Sequence, residues 1–227
     1  MRTIIVDVDT QRDFMLEEGA LFVDADAAVR LAIARVLQHA QREGTPIIGS
    51  VDSHAYDAWE FRDNGGPFAR HCVKGTPGWL RVFHDVPRKT RFVAMQPVDA
   101  AVHNLVGEAH QGEGVRTQGA TELAAEAVAG VGVYFEKEVY SLFSNPAAAP
   151  VVAALVEALG GVAQVRFDVL GYCTGGYCVD AAAHGLRERG YEVRVLGFAT
   201  AAIGGSAGQE RSSRELTHAG IEWVSRP

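Results

Sequence analysis

Thr3-Ile4-Ile5-Val6-Asp7-Val8 and Pro46-Ile47-Ile48-Gly49-Ser50-Val51-Asp52 are two short apolar runs rich in β-branched residues. Between them, Asp26–Arg42 has helical spacing, with Val29, Ile33, Val36 and Leu37 on one face, and Gly44-Thr45-Pro46 stops the helix. Near-continuous apolar strands joined by a helix read as a right-handed βαβ unit of a parallel sheet covered on both faces. The same alternation runs down the chain. Strands are expected over Thr90–Met95, Val131–Lys137, Val165–Leu170, Glu192–Gly197 and Ile221–Val224, and helices over Pro150–Leu159, Gly176–Arg189 and Ser206–Ala219. The expected fold is therefore α/β: a doubly wound, Rossmann-like, mostly parallel sheet whose site lies at the carboxyl ends of its strands.

Two stretches break the rhythm. Asp57–Phe83 is too rich in Gly and Pro for regular structure and reads as a long functional loop. Pro97–Gly130 holds two weaker helical patterns, Asp99–Glu108 and Gly119–Ala129, joined by Gln111-Gly112-Glu113-Gly114; it reads as an insertion or flap. Residues 1–227 are expected to form one domain.

A net charge of −7 with no Lys/Arg cluster argues against nucleic-acid binding. Three cysteines make no disulfide framework. With Met1 leading straight into a strand and no long apolar run, the chain reads as cytoplasmic, off the membrane and reduced. A homo-oligomer is expected.

Polar residues at the expected strand ends are few. Asp7 and Asp9 share a side at the end of the first strand, and either could point into a site. At the second strand end, Asp52 and His54 also fall on one side, and His71 can fold back from the Gly/Pro-rich loop. One carboxylate and two imidazoles suit a divalent ion, zinc first, with manganese or iron as alternatives. The ordinary reading of the same residues is a polar surface. Cys178 falls in the first turn of a helix, where free N–H groups and the helix dipole favour a thiolate and can receive an oxyanion; its ordinary reading is a small buried residue. Lys137 ends a strand, where a solvated lysine is the default. A lysine, an aspartate and a cysteine at three neighbouring strand ends would make a cation–base–nucleophile set for acyl transfer. Cys173 could form a redox pair with Cys178, although four intervening residues do not match the usual two.

Taken together these residues resemble the nicotinamidase/pyrazinamidase branch of the isochorismatase-like cysteine hydrolases. Asp7-Val8-Asp9-Thr10-Gln11-Arg12-Asp13-Phe14 is similar to the opening D-x-Q-x-D-F of that family, and Asp52-Ser53-His54 to its D-x-H metal motif. Gly65-Gly66-Pro67-Phe68-Ala69-Arg70-His71-Cys72-Val73-Lys74-Gly75-Thr76-Pro77-Gly78 resembles its loop G-G-P-W-P-x-H-C-V-x-G-T-x-G. Lys137 before Tyr140-Ser141-Leu142-Phe143, and Tyr177-Cys178-Val179, complete the series in family order across nearly the whole chain.

The resemblance implies Asp9 as general base and later acid, Lys137 as its electrostatic partner and Cys178 as nucleophile. It implies Asp52, His54 and His71 as metal ligands, with Glu60 a candidate for a fourth. Phe14 and Phe68, and Tyr177 beside the nucleophile, would contact a flat heteroaromatic carboxamide. The implied reaction is hydrolysis of nicotinamide to nicotinate and ammonia through a Cys178 thioester, with the metal orienting substrate. Alternatives are another small carboxamide or carbamoyl compound, a non-catalytic protein of the same fold, or a Cys173/Cys178 redox protein. Three departures stand out: Phe68 where the family more often has Trp, Gly176 where it has an Asp two before the nucleophile, and the length of Pro97–Gly130.

Overall fold

The computed structural model describes residues 1–95 and 119–227. Seven parallel strands form one sheet: β1 (Arg2–Val8), β2 (Ile47–Asp52), β3 (Thr90–Val93), β4 (Gly132–Lys137), β5 (Val165–Thr174), β6 (Glu192–Ala202) and β7 (Glu222–Trp223), in the order β3-β4-β2-β1-β5-β6-β7. The helices are α1 (Arg12–Met15, a single turn), α2 (Ala27–Glu43), α3 (Ala120–Val128), α4 (Ala148–Ala158), α5 (Cys178–Glu188) and α6 (Gly205–His218). Every residue of β2 and β4 is buried, which requires cover on both faces of the sheet.

The βαβ unit from β1 to β2 forms for the reasons its sequence suggests. Asp26 caps α2 by accepting from the Ala28 N–H at 2.8 Å, Ile33, Leu37 and Ala40 bury one face, and Gly44 ends the helix with a left-handed φ of 66°. The order places β1 centrally, with β2 then β4 on one side and β5 on the other. Chain direction along the sheet reverses there, so the carboxyl ends of β1, β2, β4 and β5 open onto one crevice.

Several boundaries differ from the sequence expectation. Strand β5 runs to Thr174 and β6 to Ala202, several residues past where composition suggests they stop. Gly171 follows the expected end of the fifth strand and Gly197 is the expected last residue of the sixth, yet each lies inside a longer strand and is buried there. The turn before the nucleophile is therefore only Gly175-Gly176-Tyr177. Helix α4 begins at Ala148, before Pro150, because a proline is tolerated in a helix's first turn. Over residues 57–83 there are only two short 3₁₀ turns, Arg62–Asn64 and Pro77–Trp79, and isolated bridges. The Gly119–Ala129 pattern is helix α3, packed against α4 ahead of β4. The Asp99–Glu108 pattern and the Gln111–Gly114 link lie outside the described residues, as does most of 97–130.

Candidate active site

Lys137, at the end of β4, is fully buried among acceptors. Its Nζ lies 2.8 Å from Asp9 Oδ2, 2.7 Å from Asp52 Oδ1 and 3.4 Å from Cys178 Sγ, so its three N–H donors each have a partner. Burial alone would strip its proton; the carboxylates of Asp52 and Asp9 reverse that and hold its pKa well above the ordinary lysine value. Asn145 fixes the strand end from below, donating to the carbonyls of Val93 and Glu136 at 3.0 Å each.

Asp9 follows β1 with a left-handed φ of 49°, an unusual setting for a non-glycine residue. Ser50 Oγ donates to its Oδ1 at 2.7 Å, while Oδ2 faces Lys137. Burial raises the Asp9 carboxyl above its usual range; Lys137 opposes the rise and Asp52 adds to it. Asp7, the other acid of this strand, does not enter the site. Its Oδ2 accepts from Arg81 at 2.8 Å and from Tyr134 Oη at 2.7 Å on another side of the strand.

Cys178 opens α5 as its first residue. Helix position alone predicts a lowered thiol pKa. In the folded site the reverse holds: contact with the side chain of Cys173 and burial push the thiol well above its usual value, against the pull of Lys137. The sulfur therefore rests as a thiol, beside a buried carboxylate able to take its proton.

Asp52, His54, Glu60 and His71 converge, with one ligand atom from each lying within 4.8 Å of the others. His54 Nε2 is 3.2 Å from both Asp52 Oδ2 and Glu60 Oε1, and His71 Nε2 is 3.5 and 3.2 Å from the same two atoms. A tetrahedron with metal–ligand bonds of about 2.0–2.1 Å has edges of about 3.3–3.4 Å, so these spacings suit zinc. The His71 Nδ1–H faces the Ala69 carbonyl at 2.7 Å, which leaves Nε2 free as a ligand. Burial opposes protonation of both imidazoles, yet hydrogen bonds to Asp52 and Glu60 raise His54 to about 9 and His71 to about 10. Asp52 is held well below the carboxylate range, since Lys137, His54 and His71 outweigh burial; Glu60 is lowered by the two imidazoles against the same effect. Such a set demands positive charge, from protons or from a cation.

The loop reaches the strand ends through short backbone bridges. His54 N donates to Cys72 O at 3.1 Å and Lys74 N to His54 O at 2.9 Å, which brings His71 alongside His54. Phe68 N donates to Glu60 O at 3.0 Å and Arg62 N to Phe68 O at 2.7 Å, which folds residues 60–68 back on themselves. That fold needs glycine: a Cβ at Gly66 would lie 2.1 Å from the Glu60 carbonyl carbon.

Both centres open onto one cleft, lined by Asp52, Glu60, His71, Cys178 and Cys173 together with Phe14, Leu21, Phe68, Tyr140, Tyr177 and Ile203. Phe68 and Tyr177 meet edge-on at 6.3 Å, and Tyr140 meets Tyr177 at 5.3 Å. Of the candidate residues named from the sequence, Asp7 alone is turned away; Asp9, Lys137, Cys178, Asp52, His54, Glu60, His71, Phe14, Phe68 and Tyr177 lie in this region. Others the sequence reading passed over support it. Gln11 clamps the backbone of Asp52, accepting from its N–H at 2.7 Å and donating to its carbonyl at 2.8 Å. Asp13 accepts from Cys72 N at 2.7 Å. Asp180 accepts from Thr174 Oγ1, Gly176 N and Ser212 Oγ, and so shapes the turn before Cys178. Gln11 and Asp13 stood within the quoted opening motif; Asp180 carried no signal beyond an acid in a helix's first turn.

Residues 3–94 match the family model of the isochorismatase domain. Among solved structures, a pyrazinamidase of Pyrococcus horikoshii in complex with zinc is 25% identical, with a TM-score of 0.67 over 100% of both chains. The nicotinamidase/pyrazinamidase of Bacillus subtilis is 19% identical, with a TM-score of 0.66 over 99% of this chain and 100% of that one. An N-carbamoylsarcosine amidase from Thermoplasma acidophilum is 21% identical, with a TM-score of 0.58 over 100% and 99%. A search of curated proteins returns no match. Among the described residues no helix is long and apolar enough to cross a membrane.

Proposed function

Starting from an isochorismatase domain in the isochorismatase-like hydrolase fold, we propose that this chain is a cysteine amidohydrolase that converts nicotinamide to nicotinate and ammonia. The observation that carries the reading is the shared cleft: one aromatic-walled opening reaches both the Cys178–Lys137–Asp9 cluster and the Asp52/His54/Glu60/His71 set. The nicotinamidase and pyrazinamidase neighbours support the ring-bearing substrate.

Asp9 takes the proton of the Cys178 thiol, and Lys137 stabilises the thiolate as it forms. The sulfur attacks the carboxamide carbon, and backbone N–H groups at the start of α5 receive the oxyanion. Asp9 then returns the proton to the departing ammonia, and afterwards draws one from the water that hydrolyses the thioester. Phe14, Phe68 and Tyr177 hold the ring flat against the cleft. Asp52, His54, His71 and Glu60 would hold a divalent ion, zinc by donor type and spacing, which when bound supplies a Lewis-acidic anchor for a ring nitrogen or for a water bonded to one.

A second reading, hydrolysis of a non-aromatic carbamoyl compound, is favoured by the carbamoylsarcosine amidase among the structural neighbours. A carboxamide panel scored by ammonia release separates the two. Nicotinamide should lead the panel, and Cys178→Ala should abolish its turnover. Preference for an aliphatic carbamoyl substrate would replace the first reading with the second, and full activity in Cys178→Ala would remove both.

A further inference from the structure

Amide hydrolysis uses one thiol, yet two line the cleft. Cys173 and Cys178 are both free and buried, and both line the same cleft. They stand at the two ends of a short turn, and Cys173 is the first cause of the raised Cys178 thiol. The Cys173 backbone is bent to put it there. The pairing of β5 with β6 shifts register between Tyr172 and Thr174, and Cys173 sits inside that irregularity with φ 66°. A left-handed residue of this kind costs about 1–2 kcal/mol unless it is glycine. A strained cysteine in place of an unstrained glycine, aimed at the nucleophile, points to a use for its sulfur.

We propose that Cys173 is a resolving thiol that closes a reversible Cys173–Cys178 disulfide when a hydroperoxide oxidises the nucleophile. In the first step Cys178, deprotonated by Asp9, attacks the terminal oxygen of the hydroperoxide. The O–O bond breaks, the alcohol or water leaves with the proton, and Cys178 becomes a sulfenic acid. In the second step the Cys173 sulfur attacks the Cys178 sulfur, the S–O bond breaks, and hydroxide leaves as water with the Cys173 proton. Two thiols are oxidised by two electrons in all, and one hydroperoxide is reduced. The disulfide blocks the nucleophile and halts its passage to sulfinic and sulfonic acids, which thiols do not reverse.

The inference rests on Cys178 being the reactive thiol of the proposed hydrolase, but its readout needs no substrate. The intact protein is treated with hydrogen peroxide, digested with trypsin and weighed by mass spectrometry. Cys173 and Cys178 share the peptide Phe167–Arg187, whereas Cys72 falls in His71–Lys74. The expected product is Phe167–Arg187 short of two hydrogens, restored by dithiothreitol along with any hydrolase activity. In Cys173→Gly, which relieves the left-handed strain, and in Cys173→Ser, the same peptide should gain two or three oxygens that dithiothreitol does not remove. Added oxygens without hydrogen loss in the parent protein, a cross-link to the Cys72 peptide, or full thiol recovery in both variants would overturn the proposal. A disulfide that forms in a protein whose reduced form releases no ammonia from any carboxamide would leave the proposal standing and remove the hydrolase reading alone.

Discussion

Asp52 joins Lys137 to the imidazole cluster: its Oδ1 lies 2.7 Å from Lys137 Nζ, and its Oδ2 lies 3.2 Å from His54 Nε2 and 3.5 Å from His71 Nε2. One buried carboxylate thus belongs to both centres. Around it, Asp9 and Asp52 touch the ammonium of Lys137 while Glu60 touches the two imidazoles, so three carboxylates stand against one fixed positive charge. Two negative charges remain, and either a dication or two imidazolium protons can balance them. The raised imidazoles are the proton answer to the same demand.

Removing a ligand that belongs to one centre should differ from removing the shared one. In Glu60→Gln, ammonia release should fall at limiting zinc and recover when zinc is raised. In Asp52→Asn, Lys137 also loses a partner, so a deficit on the order of 100-fold should persist at saturating zinc. Steady-state rates against zinc concentration test the contrast, and equal recovery of both variants would contradict the shared role.

Protons and metal should compete for His54 and His71. Both imidazoles are protonated below about 9 and 10 without metal, so zinc must displace both protons at neutral pH. Zinc affinity is expected to rise with pH, by up to about 100-fold per pH unit between about pH 6 and 8. The metal-free protein has the opposite trend. Its imidazole pKa values lie above the unfolded value of 6.5, so their stabilising contribution is complete below 6.5 and is lost as pH rises through 9 to 10. Calorimetric zinc titrations, with proton release followed in weakly buffered solution, check the first; urea unfolding of chelated protein checks the second. A zinc affinity independent of pH would refute the competition.

Much of this arrangement was legible because its chemistry sits where strands end. Asp9, Asp52 and Lys137 follow apolar runs whose period fixes both strand and direction, so the sheet order carries them to one crevice. What was not legible depends on distant partners. Asp7 and Asp9 share a strand face by alternation, but the left-handed turn at Asp9 sends them apart. The depth of β5 and β6 was hidden because Gly171 follows one expected strand and Gly197 ends the other, while close packing explains both glycines in space. A Cβ at Gly171 would meet the Val8 carbonyl at 2.1 Å, and one at Gly197 the Trp223 ring at 2.3 Å. Asp180 organises the nucleophile's turn through Thr174, Gly176 and Ser212, and the last of these is 32 residues away and buried on α6.

Lys137 should be as necessary to the fold as to the chemistry. In Lys137→Met the carboxylates of Asp9 and Asp52 keep their burial and lose their cation, a loss of about 3–5 kcal/mol. The deficit should shrink in acid, where the already raised Asp9 carboxyl takes up a proton first. Urea denaturation of Lys137→Met beside Cys178→Ala is the test. A loss no larger in the first variant than in the second would mean that the ion triad does not hold this part of the sheet together.

Asp180 should act on the rate through geometry. It stands two residues after Cys178, and its carboxylate gathers the Thr174 hydroxyl, the Gly176 N–H and the Ser212 hydroxyl, while Ser212 in turn accepts from Gly175 N at 2.7 Å. Those contacts hold the two glycines of the turn, which have no side chains of their own with which to set its shape. Asp180→Ala leaves the buried hydroxyls of Thr174 and Ser212 and the exposed Gly176 N–H without this acceptor, at a cost of about 1–3 kcal/mol, and frees the turn to move the Cys178 sulfur relative to Asp9. Turnover should fall by about 10- to 100-fold with KM nearly unchanged, since the ring-binding wall of Phe14 and Phe68 is untouched. Asp180→Asn retains one acceptor oxygen and should recover part of the rate. If KM rises instead while kcat holds, Asp180 shapes the substrate wall and leaves the nucleophile's position to other contacts.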